Sequence, residues 1–415
     1  MLPTSELRSR LAGAGLVAVA ITGMNVASYG FTLVAAHLLA PAHFGELTAL
    51  MGIILVGNVA ALGLQATTAR RIATRHTAAE RAAVVDAARR ATWIAAGTVA
   101  VLTLALTPLL QDALDLTSPT SMVLVALTLI PLTIIGTEAG VAQGNRRWGR
   151  LAVLYAAVGA GRLVFGTAAA AIDAVPSVVM AGVLVGAVVP AVVGWPLLWT
   201  GSSPPDDSQS DDETALPYDS RAVLVEALHG THALLAYFAL TNADALLARI
   251  VLSPHDSGVY AAGLIVTKAC LFLPQFVTVV AFPDLAQARD TRTRRIAALL
   301  IAALGAGVIA GTWLLPDLAL AFVGGSEYSD VRNLLPLFAL EGSVFALLQL
   351  LLYDSLARRD LIITVGLWTA LAAATAIVLT SVDTVAMIPV VMTSAAGCVA
   401  LLSVLPIRRR TSPRQ

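Results

Sequence analysis

HLLAPAHFGELTA, residues 37–49, returns 213 positions later as IVLSPHDSGVYAA, residues 250–262. Leu39, Pro41, Gly45 and Ala49 recur as Leu252, Pro254, Gly258 and Ala262. In each copy the proline ends a rising helix and the glycine permits a tight turn into the next one. The same offset lays the basic turn Asn145-Arg146 on Arg358-Arg359. The chain therefore reads as a duplication, and what fills each copy decides the fold.

Long apolar blocks fill it. Leu11 to Ala40 holds no Asp, Glu, Lys or Arg, and Ser121 to Gly144 holds only Glu138. About 20 such residues at ~1.5 Å each cross ~30 Å of hydrocarbon. Over 415 residues the composition is 58% apolar and 13% charged, which excludes a soluble enzyme and a nucleic-acid binder. Cys270 and Cys398, the two cysteines, both fall in apolar blocks, so neither a disulfide framework nor a CxxC metal motif is expected. The apolar run after Arg8 and Arg10 is too long for a signal peptide and reads as an uncleaved first span. Twelve spans follow, with cores at 12–38, 44–65, 92–110, 121–144, 151–172, 177–199, 222–250, 259–282, 296–315, 334–354, 361–379 and 385–405. All are helical, because an open strand edge cannot sit in lipid. The predicted fold class is an all-α polytopic membrane protein, two six-helix bundles related by a parallel repeat.

Arginine placement supports this count. Twenty-two arginines fall on the side of both termini, including the 66–91 connection. The other side holds only Arg249 and Arg332, and Arg162 and Lys268 lie inside spans. Positive charge stays inside, so both termini are expected in the cytoplasm and the chain in the cell membrane. Thr200 to Arg221 carries six acids, five serines and an adjacent proline pair, a solvated tether unable to bury a core. The expected domains are a bundle at 1–199, an acidic linker at 200–221 and a bundle at 222–415.

LLAPAHFGELTAL (38–50), QGNRRWGRLAVL (143–154), NADALLARIVLSPHDSGVYAAGLIV (242–266) and PDLAQARD (283–290) resemble the polysaccharide flippases of the multidrug/oligosaccharidyl-lipid/polysaccharide export superfamily. The resemblance covers nearly the whole chain in topology and rests on turn patterns. It implies two bundles forming a V around a cavity open alternately to each side. The implied cargo is an oligosaccharide on a polyprenyl (pyro)phosphate. The implied partners are membrane lipids and polysaccharide polymerases or glycosyltransferases, with the protein acting as a monomer, without cofactor and not as an enzyme. Span 1 lacks the charged residues of lipid II flippases, which argues against a peptidoglycan precursor.

An ionisable group at a helix centre costs about 2.5–3.5 kcal/mol, so each is a candidate site. Arg162 lies mid-span beside Gly159 and Gly161, where its fork can hold a phosphate bidentately or pair for packing alone. Asp244 and Lys268 flank the 255–256 turn at matching depth and are expected to form an ion pair. Alternatively, Lys268 meets cargo phosphate and Asp244 binds a coupling H⁺ or Na⁺. Asn242 beside them and Asn25 in span 1 are candidate substrate contacts, span 1 facing the cleft in the resembled family. Glu226, His229 and His232 share a stripe at the start of span 7, which reads first as a polar cavity mouth, with metal binding or proton relay as the alternative; Glu226 and His229 are candidates for ion coupling or gating. Glu138 and Glu341 read as cavity-lining or helix-pairing groups, with Glu341 also a candidate for ion coupling. Pro131, Pro190, Pro196, Pro274 and Pro389 are expected bending points. The leading expectation is a flippase for lipid-linked glycans. The alternative is a cation-coupled exporter of small amphiphiles that uses Asp244 or Glu341. A membrane glycosyltransferase would need a larger outer loop than Pro316 to Asn333, and a non-transporting scaffold stays open.

Overall fold

The computed structural model describes residues 4–196, 219–287, 291–358 and 362–404. Most of the expected 200–221 linker therefore lies outside the described residues. Among the described residues every regular element is helical. The first half contains α1 (Thr4–Leu38), α2 (Pro41–Gly57), α3 (Val59–Ala73), α4 (Ala78–Ala105), α5 (Thr107–Ala113), α6 (Pro119–Gly144), α7 (Trp148–Gly161), α8 (Thr167–Ile172) and α9 (Pro176–Gly194). The second contains α10 (Ser220–Val251), α11 (Pro254–Gln287), α12 (Thr291–Leu314), α13 (Pro316–Val323), α14 (Leu335–Arg358), α15 (Ile362–Ser381) and α16 (Met387–Val404). With α2–α3, α4–α5 and α7–α8 each counted as one pass, and the eight-residue α13 left out as too short to cross, twelve passes result. Nine helices among the described residues are long and apolar enough to cross a membrane, or ten if the bent α4–α5 pair is one span.

Three local details differ from the sequence reading. The 66–91 connection is almost wholly helical: α3 runs on to Ala73, and Thr77 and Glu80 cap the start of α4 reciprocally. Helices can project past the membrane as polar helix, which an apolar-block reading scores as loop. α6 and α9 continue through Pro131 and Pro190, whereas the 49° bend falls at α4–α5, where Pro108 opens α5. The stretch after span 9 is also helical, as α13 and the 3₁₀ turn Gly325–Val331.

The duplication holds in three dimensions. Adding 213 to the starts of α2 and α4 gives 254 and 291, where α11 and α12 begin. The packing repeats too. In the first half α1 packs on α7, α3 and α4 on α6, and α9 on α6 and α7. In the second half α10 packs on α15, α11 and α12 on α14, and α16 on α14 and α15. Six passes per copy is an even number, so both copies point the same way.

The halves meet along α1–α4 and α10–α11. At the arginine-poor face the repeat-equivalent glycines Gly45 and Gly258 touch. A Cβ on Gly45 would stand 2.6 Å from Ser257 Oγ and 2.8 Å from the Gly258 nitrogen, and one on Gly258 would overlap the Pro41 carbonyl. The conserved turn is thus also the crossing point of the halves. Gly258→Ala should cost the closed face about 1–3 kcal/mol, the usual penalty for overpacking. A cysteine at Ala261, 2% exposed, in a background free of Cys270 and Cys398, should then label faster with an impermeant maleimide. Unchanged labelling would mean the crossing is loose.

Candidate functional site

A cavity of about 120 Å³ lies between the halves. α1 contributes Ser28, Tyr29 and Thr32, α10 contributes Asn242, and α11 contributes Lys268. Arg162 enters from the first half, at the start of a π-helical turn, Arg162–Gly166. Such a turn inserts a residue into the helix and recurs at functional sites. Gly159 packs on the backbone of Met24 and Gly161 on that of Gly186, so α7 sits tight between α1 and α9. Among the described residues no acceptor bonds the Arg162 guanidinium, although the side chain is largely enclosed. Lys268, by contrast, donates to the Thr241 carbonyl at 2.6 Å and to Asn242 Oδ1 at 3.0 Å.

Those bonds correct one expectation. Asp244 and Lys268 are neighbours, but no ion pair within 4 Å joins them. Lys268 is held by its own side of α10, and Asp244 Oδ1 accepts from the Ala245 backbone. Equal depth on adjacent helices is not equal azimuth, and depth was all that spacing could supply. Asp244, Lys268 and Glu341 lie close enough to act on one another's charge, in a buried polar cluster of the second bundle. Asp244 and Glu341 are both 0% exposed; Thr267 Oγ1 donates to Glu341 Oε2 at 3.1 Å. Among the described residues, Asp244 Oδ2, Glu341 Oε1 and the Tyr260 hydroxyl have no hydrogen-bond partner. Buried carboxylates with open acceptor positions are costly unless a proton or cation completes them.

Other sequence candidates scatter. Asn25 is one turn from Ser28 and Tyr29 on the cavity face of α1, partly buried, but does not line the cavity. Glu138 is 0% exposed inside the first bundle, against Gly194, and both its carboxylate oxygens are without a partner among the described residues. Glu226 reaches across to the first half, pairing with Arg70 and, at 2.6 Å, with Arg71. It therefore ties the two halves together at the arginine-rich face. His232 is exposed, and the His229 side chain lies outside the described residues.

The arginine-poor face carries two clasps that residue typing missed. Arg249 of α10 is 5% exposed and crosses to the first half, donating to the carbonyls of Leu114 and Asp115 at 2.7 Å each. It also donates to Ser257 Oγ at 3.1 Å. Asp115 has φ +46°, a left-handed geometry that helps turn the loop toward it. Reciprocally, the second half reaches back: Tyr328 donates to the Leu39 carbonyl at 3.3 Å, and a His37 ring nitrogen lies 3.2 Å from the Ala321 carbonyl oxygen. Tyr29 of α1 adds a bond to the Ile265 carbonyl at 3.0 Å beside the cavity. A sequence signal for Arg249 existed, since it is one of the two arginines on the wrong side of the charge rule. The other, Arg332, bonds Asp317 at 2.6 Å and holds that carboxyl below its usual range.

No family model matches the chain, and no curated protein matches it. Among solved structures the fold is similar to an inward-facing multidrug resistance MATE family transporter of the MOP superfamily, with TM-score 0.66 and 12% identity over 93% of this chain and 96% of that one. It is similar to lipid II flippase MurJ in an inward closed conformation, with TM-score 0.73 and 9% identity over 94% and 86%. The eukaryotic MATE transporter AtDTX14 gives TM-score 0.62 and 12% identity over 95% and 94%. At these identities the likeness is one of fold: the chain has the fold of the MOP superfamily, as its turn motifs implied.

Proposed function

We propose, from a fold shared with drug exporters and a lipid II flippase, that this protein moves a polyprenyl-(pyro)phosphate-linked oligosaccharide across the cytoplasmic membrane for cell-surface polysaccharide assembly. The observation that carries the reading is Arg162, a guanidinium without an acceptor among the described residues, in the cavity between the halves and with Lys268 on its other wall. A planar fork with open donors suits a phosphate, and pairing compensates its burial. Asn242, tied to Lys268, and Asn25, one turn along α1, stand where a sugar-phosphate would pass.

In this reading the arginine-rich face is cytoplasmic and carries both termini. The bundles at 1–199 and 222–415 rock against each other, tethered by 200–221, and the Gly45–Gly258 contact separates when the arginine-poor face opens. A cavity of about 120 Å³ is far smaller than an oligosaccharide, so cargo enters after the Glu226 latch opens and leaves after the Arg249 clasp opens. A phosphate bound between the bundles lowers the free energy only of conformations that keep both walls near it, which is how cargo biases the rocking. No covalent bond changes. The cargo carries its glycan to polymerases or glycosyltransferases on the far side.

A second reading is favoured by the unpartnered oxygens of Asp244 and Glu341: a cation-coupled exporter of small amphiphiles, with these carboxylates binding H⁺ or Na⁺. The two readings separate in cells depleted of the protein. A flippase predicts that lipid-linked sugar accumulates out of reach of an impermeant glycan-modifying probe, and that the wild-type gene restores access. Unchanged glycolipid sidedness together with lost efflux of cationic dyes would instead establish the exporter.

A further inference from the structure

Glu138 is an acid that neither transport reading uses. It lies in α6, six residues or about 9 Å from the end of that helix at the arginine-rich face. The side chain is fully enclosed and lies outside the lining of the central cavity. Its carboxyl is pressed against Gly194, the last residue of α9: a Cβ there would overlap Oε2 and would stand 3.1 Å from Leu154 of α7. An ionised carboxyl in this place would add its charge to the negative end of the α9 dipole, with no bond to offset its burial.

Among the described residues no positive group bonds it. α9 carries no titratable residue. On α7, Arg150 is exposed and the Tyr155 hydroxyl accepts from Gln65. On α4, Glu80 and Arg81 bond at its own cap, Arg89 pairs with Asp86 at 3.2 Å and Arg90 is exposed. On α3, Arg70 and Arg71 are held by Glu226. α2 and α5, with His43, Glu46 and Asp112, reach the other half of α6, where Gly57 meets Leu129 and Glu46 accepts from Thr117. Packing does not ask for the acid either. At the 213-residue offset Glu138 becomes Leu351, and α14 packs on α16 with leucine in that place.

We propose that Glu138 is a proton-binding site of the first bundle, filled from the arginine-rich side, and that its proton seats the end of α9 on α6. Neutral, the carboxyl packs as an uncharged side chain whose O–H can donate to a terminal carbonyl of α9. Ionised, it needs water, and Gly194 must leave α6 to admit it. Losing the proton therefore frees the end of α9. The site lies apart from the cavity, and the proposal does not rest on the identity of the cargo.

The test places a cysteine at Ala191, buried on α9 one turn before Gly194, in full-length protein lacking Cys270 and Cys398. Labelling by an impermeant maleimide is followed between about pH 6 and pH 9, once with Glu138 and once with Glu138→Gln, whose amide mimics the protonated acid. The ratio of the two rates cancels the thiol's own ionisation. One proton released on opening makes that ratio rise about tenfold per pH unit. A flat ratio would overturn the proposal, as would a ratio that follows sodium concentration at fixed pH. Thermal unfolding of the chain without the added cysteine gives a second reading. A neutral Glu138 in the folded chain ionises on unfolding at neutral pH, so wild type should lose stability relative to Glu138→Gln as pH rises. Parallel curves for the two proteins would also sink it.

Discussion

Arg162→Ala is expected to reduce outward movement of lipid-linked sugar by about ten- to a hundredfold while leaving the fold intact. The magnitude follows from losing a charge-assisted contact worth ~1.5–3 kcal/mol in all. The intact fold follows from the structure. Among the described residues the guanidinium bonds to no acceptor, so its removal orphans nothing, and it relieves the membrane of a charge. Stability should therefore hold or rise as transport falls, the opposite of what a packing residue does. Arg162→Lys keeps the charge without the fork and should fall between the two. The sidedness of glycolipid in complemented cells measures the first quantity, and thermal unfolding of the purified variants the second. If Arg162→Ala restores transport fully, Arg162 is a packing residue and the phosphate site lies elsewhere.

Arg249→Met should shift the protein toward a form open at the arginine-poor face by a factor of about 10²–10³. Arg249 makes two 2.7 Å bonds and one of 3.1 Å from a nearly buried position, two of them to the opposite half. Cutting a buried charged connection of this kind costs ~3–5 kcal/mol, and all of it is charged to the closed form, where those bonds exist. The shift is read from maleimide labelling of a cysteine at Ala261, or from spin-label distances between the 114–115 loop and α10. Net transport should fall although cargo binding is untouched, because a clasp that never closes cannot reset. Labelling at the wild-type rate would show that the Gly45–Gly258 crossing and the Tyr328 clasp suffice to keep the face closed.

Legibility in the sequence followed the range of the physics. Hydrocarbon thickness acts on each span separately, so apolar runs reveal passes one at a time, and the arginine count fixes their alternation. The duplicated turn needed only residue identity: Pro41 and Pro254 begin α2 and α11, and Gly45 and Gly258 turned out to be the contact between halves. Membrane polarity likewise singled out Arg162, Lys268, Asp244 and Glu341, because a charge in a span stands out against its surroundings. It did not say which of them face each other. Asp244 and Lys268 do lie near each other, as their spacing implied, but the Lys268 ammonium directs its hydrogen bonds to Thr241 and Asn242. Helix azimuth is set by small residues such as Gly161 against Gly186, whose effect depends on a partner distant in sequence.

By itself, then, the sequence determined an all-helical, membrane-crossing, duplicated chain with one face rich in arginine, since burial in lipid and charge asymmetry are properties of each segment. Only the tertiary structure decided that Arg162 bonds no acceptor among the described residues around the central cavity, that Glu226 and Arg249 join the two halves at opposite faces, and that Lys268 bonds Thr241 and Asn242. Those outcomes depend on which side chains two helices turn toward each other, and no segment taken singly carries that information.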